Sequence, residues 1–270
     1  MRGIIGVMQS KLRIRQPNVL PPPEVTQQAV SLFQSHGALW LENVFEKSTI
    51  EKLLATYQKK YLSLSKTELR QRDAKVGDQR FMITVDVKGA FNRPEVYANE
   101  ALSPVLHSLL SGALRIASFG SVVALPDADE QAIHLDHPPL FGVADDGMPV
   151  YALTMVIPLV DLSPETGTTA IWEGSHRGED RFDLLRGLMD SPDFSDASLP
   201  MAKQGDAYLM DYRVIHGGMA NRSDVARPVL YIVYSRPWFR DGFNFKSQDA
   251  VSISKKQLKK VPKQHRSLFE

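Results

Sequence analysis

The chain contains no cysteine. That excludes disulfides, zinc ribbons and cysteine nucleophiles, and it fits a reducing interior. No charge of one sign dominates. Thirty-two Lys and Arg against 31 Asp and Glu leave a net charge of +1, too little to draw in nucleic acid or an anionic membrane. No apolar run approaches the roughly 20 residues of a membrane span. The opening Met1–Met8 is too short an apolar stretch for a secretory leader, and the basic residues Lys11, Arg13 and Arg15 follow it on the wrong side. A soluble, cytoplasmic protein is expected. With no internal repeat, linker or low-complexity tract, the 270 residues, 43% of them apolar, are expected to form a single domain.

The order of patterns along the chain divides that domain. Residues 1–23 end in the extended Pro21-Pro22-Pro23 and read as an arm or a packed N-terminal segment. Residues 24–112 are helix-rich. Val25, Ala29, Val30, Leu32 and Phe33 recur at helical spacing up to a stop at Gly37, and a short strand Ala38–Leu41 follows. Ser48 with Glu51 forms a capping-box pattern for a second helix. Lys66–Gly77 reads as a charged, loop-like stretch with or without a helical turn, Phe81–Val87 as a strand, Pro94–Asn99 as a connection and Pro104–Leu114 as a helix. Residues 113–240 are a run of strands: Arg115–Leu125, Ile133–Asp136, Val150–Val160, Thr168–Trp172, Ala207–Tyr212, Val214–His216 and Arg227–Arg236. Turn residues such as Asp145-Asp146-Gly147 separate them, and one helix, Arg181–Met189, interrupts them. Short strands after N-terminal helices predict a mainly β fold, an antiparallel sandwich or barrel with helices packed outside. The tail, 241–270, is lysine-rich and reads as a solvated helix face.

The chemistry centres on Gln131-Ala132-Ile133-His134-Leu135-Asp136-His137. Residues two apart on a strand share a face, so His134 and Asp136 converge on one point. A third ligand has to come from elsewhere, and His216, followed by Gly217-Gly218, is the candidate. Two histidines and a carboxylate with open positions opposite suit non-haem Fe(II) and oxygen chemistry. Taken alone, His-x-Asp is more often an ordinary strand-end pair, and His216 could be a satisfied half-buried histidine. Arg227, eleven places after His216, opens the most apolar strand. Pointing inward it needs an anion, and a guanidinium suits a carboxylate. The bland reading pairs it with Asp206 or Asp211, or leaves its head in water.

These pieces, in this order, resemble the phytanoyl-CoA dioxygenase family of Fe(II)/2-oxoglutarate-dependent oxygenases. The resemblance is carried by His134-Leu135-Asp136, by Glu165-Thr166-Gly167 through Gly174-Ser175-His176-Arg177, and by Gly205-Asp206 through His216-Gly217-Gly218, Asn221, Ser223 and Arg227-Pro228. Phe33–Phe45, with Gly37, Leu41 and Asn43, is similar to the family's opening. One departure, Trp172-Glu173 where a proline is common, is expected to alter only a turn. The resemblance implies a double-stranded β-helix of jelly-roll or cupin type, with N-terminal helices packed on one sheet and 113–240 as its core. It implies Fe(II) on His134, Asp136 and His216, with 2-oxoglutarate and O2 as cosubstrates. Arg227 would hold the distal carboxylate of the oxo acid, while Gln131, Ser223 and Thr168 are further candidate contacts to it. The implied reaction releases succinate and CO2 and oxidises, most simply hydroxylates, a small natural-product or amino-acid-derived molecule. Related halogenases lack the carboxylate, so Asp136 argues against halogenation.

Other residues carry weaker expectations. Strand alternation puts Gln131 opposite His134 unless a bulge turns it inward, and His137 should point away from iron. Thr154 and Thr168 are strand hydroxyls that could face the barrel interior, though such threonines are more often plain strand formers. Asn221 and Ser223 are either turn formers or donors to the oxo acid. His176 and Arg177 belong to a turn that braces the site. Arg80, Phe81, Phe141, Tyr212 and Trp238 are candidate lining for a substrate pocket, with plain packing as the alternative for each. Two other functions fit the same residues: a non-catalytic jelly-roll module that binds a ligand, and a cupin-type metalloenzyme that uses no oxo acid.

Overall fold

The structure is a computed structural model and describes residues 8–71, 75–141, 147–246 and 248–270. The expected turn at Asp145-Asp146 lies outside them. The N-terminal half contains β1 (Lys11–Arg13), α1 (Pro23–His36), β2 (Ala38–Glu42) and α2 (Lys47–Tyr57), which runs on into a π-helical turn, Gln58–Leu62. Next come α3 (Lys66–Gln71), β3 (Lys75–Gly77), β4 (Arg80–Thr84), α4 (Pro94–Tyr97) and α5 (Ser103–Leu109). The second half contains β5 (Arg115–Ala124), β6 (Ala152–Pro158), β7 (Thr169–Ile171), α6 (Arg181–Asp190), β8 (Ala207–Asp211), β9 (His216–Gly218), β10 (Arg227–Ser235) and α7 (Lys255–Leu258).

Eight strands form one sheet in the order β1-β2-β8-β6-β10-β5-β4-β3, and β7 pairs with β9 in a second, smaller sheet. The result is a mainly β jelly roll with peripheral helices. All nine residues of β10 are buried, because it is paired on both edges and covered on both faces. Alternation divides its side chains. Leu230, Ile232 and Tyr234 join the core beneath the helices, with Phe33 of α1, Leu53 of α2 and Leu106 of α5. Arg227, Val229, Tyr231 and Val233 face the opposite way and line a cavity. The neighbouring strands obey the same phase. Phe81 and Ile83 of β4 go to the helix side, whereas Arg80 and Met82 face the cavity. Phe81 is therefore core and not pocket lining.

Several local expectations change. β1 lies inside the expected arm and pairs in parallel with β2. The Ser48–Glu51 capping box does not form: α2 starts at Lys47 with Glu46 at its N-cap and no side-chain cap. The entry is held instead by the backbone, since Val44 and Phe45 N–H both donate to the Gly205 carbonyl. Pro94–Tyr97 is a helical turn, not a plain connection. Lys66–Gly77 contains α3 and β3. In the tail, Ser254 caps α7 and Gln257 and Val261 are buried, with the lysines exposed around them. Among the described residues no helix is long and apolar enough to cross a membrane.

Glu173 does more than alter a turn. Its carboxylate accepts from Ser10 Oγ (2.7 Å), Gln9 N (3.1 Å) and the Ser198 hydroxyl, and lies 3.0 Å from His36 Nδ1. It thus ties the segment before β1 and the end of α1 to the small sheet. Gly37 ends α1 in the left-handed region (φ 71°), and its N–H donates to Phe33 O at 2.7 Å. A Cβ there would stand 2.4 Å from His176 Nδ1. Gly37→Ala therefore adds a collision to the backbone strain and should cost about 2–4 kcal/mol in urea denaturation. Gly89→Ala is the control, with φ 61° and nothing within 4 Å of the new methyl; it should cost about 1 kcal/mol. Equal losses would mean that His176 moves aside freely.

Candidate metal centre

The three predicted ligands meet. One ligand atom from each of His134, Asp136 and His216 lies within 4.8 Å of the others. His216 Nε2 is 3.5 Å from Asp136 Oδ1, and the two imidazole centroids are 4.3 Å apart. His134 is not in a regular strand as expected; it forms an isolated antiparallel bridge with His216. The amide of each donates to the carbonyl of the other, at 2.9 and 3.0 Å. That reciprocal pair sets the spacing between the rings.

The surrounding contacts orient the ligands. His134 Nδ1 is 2.7 Å from Ala132 O and His216 Nδ1 is 3.1 Å from Val214 O. Each Nδ1–H donates to a carbonyl, which leaves both Nε2 lone pairs for a metal. Thr154 Oγ1, from β6, donates to Asp136 Oδ2 at 2.7 Å, so Oδ1 is the free oxygen. Burial, then the neighbouring His216, push His134 down to about 4, which keeps its imidazole neutral near neutral pH. The Gly-Ser-His-Arg turn braces this centre: Ser175 Oγ accepts from Ile215 N at 2.9 Å, one residue before His216. His176 and Arg177 reach back to the Gln34 and Ser35 carbonyls.

A cavity of about 250 Å³ runs from this centre to Arg227. Arg227 is 2% exposed, and its Nε and Nη2 have no hydrogen-bond partner among the described residues. It pairs with neither Asp206 nor Asp211. Asp206 accepts from the Asn43 and Lys203 amides, and Asp211 pairs with Arg213. Gln131 lines the cavity too. Its N–H donates to Gly218 O while His134 opposes His216, so two residues, Ala132 and Ile133, face the single Gly217. This bulge turns Gln131 inward.

Two expected contacts fall elsewhere. Thr168 is buried but donates to Pro200 O at 2.6 Å; its neighbour Thr169 lines the cavity, one residue out of phase. Ser223 donates to Asn221 Oδ1 at 2.6 Å inside the turn leading to β10, where Asn221 holds the Ala124 and Val225 carbonyls. Both are turn formers. His137 points away from the centre and packs with Tyr212, Phe239 and Phe243. Of the pocket candidates, Arg80 and Tyr212 line the cavity, whereas Phe141 and Trp238 are exposed and do not.

Arg80 carries more than the sequence indicated. It is 1% exposed, its Nη2 donates to Asp129 O (2.8 Å) and Met219 O (2.9 Å), and its Nε is unpartnered. Burial, then Arg227, pull it down to about 9. A methyl on Gly218 would stand 2.7 Å from Arg80 Nη1, so the glycine makes room for this guanidinium. The phase of β4, with Phe81 and Ile83 as the apolar residues, was the signal available in the sequence.

Thr154→Val keeps the volume and removes the one hydrogen bond that aims Asp136. Affinity for Co(II), followed by calorimetric titration, should fall roughly 10- to 100-fold, as for other outer contacts of metal ligands. Unchanged affinity would remove Asp136 from the ligand set.

The architecture recurs in solved structures at low identity. HygX from Streptomyces hygroscopicus, solved with nickel and 2-oxoglutarate bound, superposes with a TM-score of 0.60 at 17% identity, covering 83% of this chain and 93% of that one. EctD from S. alaskensis, solved with bound Fe, gives 0.54 at 20% identity, covering 77% and 75%. SnoK, a non-haem α-ketoglutarate-dependent carbocyclase from nogalamycin biosynthesis, gives 0.55 at 20% identity, covering 80% and 88%. Identities this low speak to the fold. The sequence model of the phytanoyl-CoA dioxygenase family matches residues 33–229, most of the chain, and the protein belongs to that family.

Proposed function

We propose that the protein is an Fe(II)/2-oxoglutarate-dependent dioxygenase that hydroxylates a small molecule, natural-product or amino-acid-derived. The observation that carries this reading is Arg227: a buried guanidinium with free donors, in the same cavity as two histidines and an aspartate. A buried lone cation is costly, and a carboxylate that accepts two parallel N–H bonds removes the cost. Arg80 places a second positive charge in the same space. The donor set fits the cofactor, since two imidazoles and one carboxylate on one side leave positions opposite for the oxo acid and O2.

When bound, iron, 2-oxoglutarate and O2 supply the oxidising chemistry, in which the oxo acid is decarboxylated to succinate and CO2 as the substrate is oxidised. The chain's own residues do the positioning. Arg227 holds the distal carboxylate, Gln131 flanks it through the bulge, and Thr154 keeps Oδ1 of Asp136 toward the metal. Asp136 also supports hydroxylation over halogenation, because the carboxylate occupies the position a halide needs.

Anaerobic protein mixed with Fe(II) and 2-oxoglutarate should develop the weak visible charge-transfer band of the chelate. His134→Ala should abolish it. Arg227→Ala should keep metal binding and lose on the order of 2–5 kcal/mol of 2-oxoglutarate affinity. A wild-type protein with neither iron affinity nor a band contradicts the proposal. Retained activity in Arg227→Ala would favour a cupin-type metalloenzyme that needs no oxo acid.

A further inference from the structure

Two hydroxyls on the inner face of the large sheet have no partner among the described residues. Ser118 of β5 is fully buried and Tyr231 of β10 is 7% exposed, and both line the cavity of the metal centre. Neither Ser118 Oγ nor the Tyr231 hydroxyl has a hydrogen-bond partner among the described residues. Buried hydroxyls are normally bonded, because leaving one unpaired costs its desolvation.

Their placement ties them to the reacting end of the cavity. Val233 pairs with Ser118 on one side and with Thr154, the residue that aims Asp136, on the other. Tyr231 pairs with Gly120 and Val156. Its ring lies over Gly120: a Cβ there would stand 2.4 Å from the Tyr231 hydroxyl and 2.6 Å from its Cζ. The glycine is a notch that fixes the direction of the phenol. Tyr231 lies four residues beyond Arg227, about 13 Å along the strand, so the hydroxyls sit away from the anchor of the oxo acid.

Charge narrows what can bind there. Asp136 lines the cavity with Tyr231, and Asp241, outside the lining, also acts on it electrostatically. Asp241 accepts from Tyr212 OH, Asn244 Nδ2 and the Phe243 and Asn244 amides, and it forms no ion pair among the described residues. A substrate anion would meet Asp136 and an ammonium would meet Arg80 and Arg227, all in the same cavity, so an uncharged group is favoured. The cavity is also smaller than the roughly 300–1,000 Å³ of drug-sized sites, so once the oxo acid is in place only a small part of a substrate enters. Tyr212, Asn244 and Phe245 also line the cavity.

We infer that Tyr231 and Ser118 are substrate contacts that receive an uncharged oxygen-bearing group, a hydroxyl, ether or amide carbonyl, of the molecule to be oxidised. This rests on the proposed function, since it assigns the Arg227 end to the oxo acid. The test uses anaerobic protein loaded with Fe(II) and 2-oxoglutarate, titrated with cyclohexanol, cyclohexylamine and cyclohexanecarboxylate while the visible band is followed. Cyclohexanol should perturb the band saturably, with the amine and the carboxylate at least about fivefold weaker. Tyr231→Phe and Ser118→Ala should each raise its Kd about fivefold, the effect of one hydrogen bond, and leave the band itself unchanged. Because each variant deletes an unpaired hydroxyl, its apo Tm should equal or exceed that of the wild type.

The inference is overturned if cyclohexanol leaves the band unperturbed, if its Kd is the same in both variants, or if the carboxylate binds more tightly. A Tm several degrees lower would also overturn it, by revealing a structural partner. Absence of the band in wild-type protein is a separate outcome and removes the proposed function itself.

Discussion

The reciprocal backbone pair between His134 and His216 is the constraint on which the site depends. The two residues are 82 positions apart, and neither lies in the large sheet. Two amide–carbonyl bonds bring their rings to 4.3 Å, and the extra residue between Gln131 and His134 turns Gln131 into the same space. The small sheet is short and interrupted, so its rigidity comes from its neighbours. Ser175 holds Ile215, Glu173 ties the segment before β1, and Asn221 locks the turn that delivers Arg227. The site is thus positioned from below by the large sheet and from behind by side chains that never touch a ligand.

The large sheet solves a second problem, which is to keep charge inside an apolar fold. Each central strand sends alternate residues to a helix-covered core and to the cavity. The core side is continuous from Phe33 to Tyr234 and supplies the burial that stabilises the fold. The cavity carries two buried guanidiniums and two buried hydroxyls with donors unpaired among the described residues, beside three candidate metal ligands. The largely apolar opposite face supplies burial that offsets their cost. The same groups become favourable when an anion, a metal and a polar substrate satisfy them.

Much of this was legible in the sequence, wherever a signal was local. Residues two apart share a strand face, so His134 and Asp136 could be paired before any coordinates. β5, β6, β8 and β10 followed from apolar runs between turn residues, and α1 from its stripe and Gly37. Arg227 stood out because a charge opening so apolar a strand needs a partner. What failed depended on phase or on a distant partner. Thr168 and Thr169 differ by one residue, and only the partner strand decides which faces inward. Ser223 bonds within its own turn, to Asn221 Oδ1 two residues back. β1 forms because Glu173, more than 160 residues away, holds the segment before it. The bulge at Gln131 exists only against β9, and Arg80 became informative once β4 was placed beside β5.

The central claim is that one metal and one oxo acid complete this cavity together. The most direct measurement is anomalous diffraction at the iron edge, from crystals grown anaerobically with Fe(II) and 2-oxoglutarate. The account predicts a single iron peak at coordination distance from His134 Nε2, Asp136 Oδ1 and His216 Nε2, with the oxo acid's distal carboxylate on Arg227. A peak ligated by other residues, or an oxo acid bound away from Arg227, would contradict it.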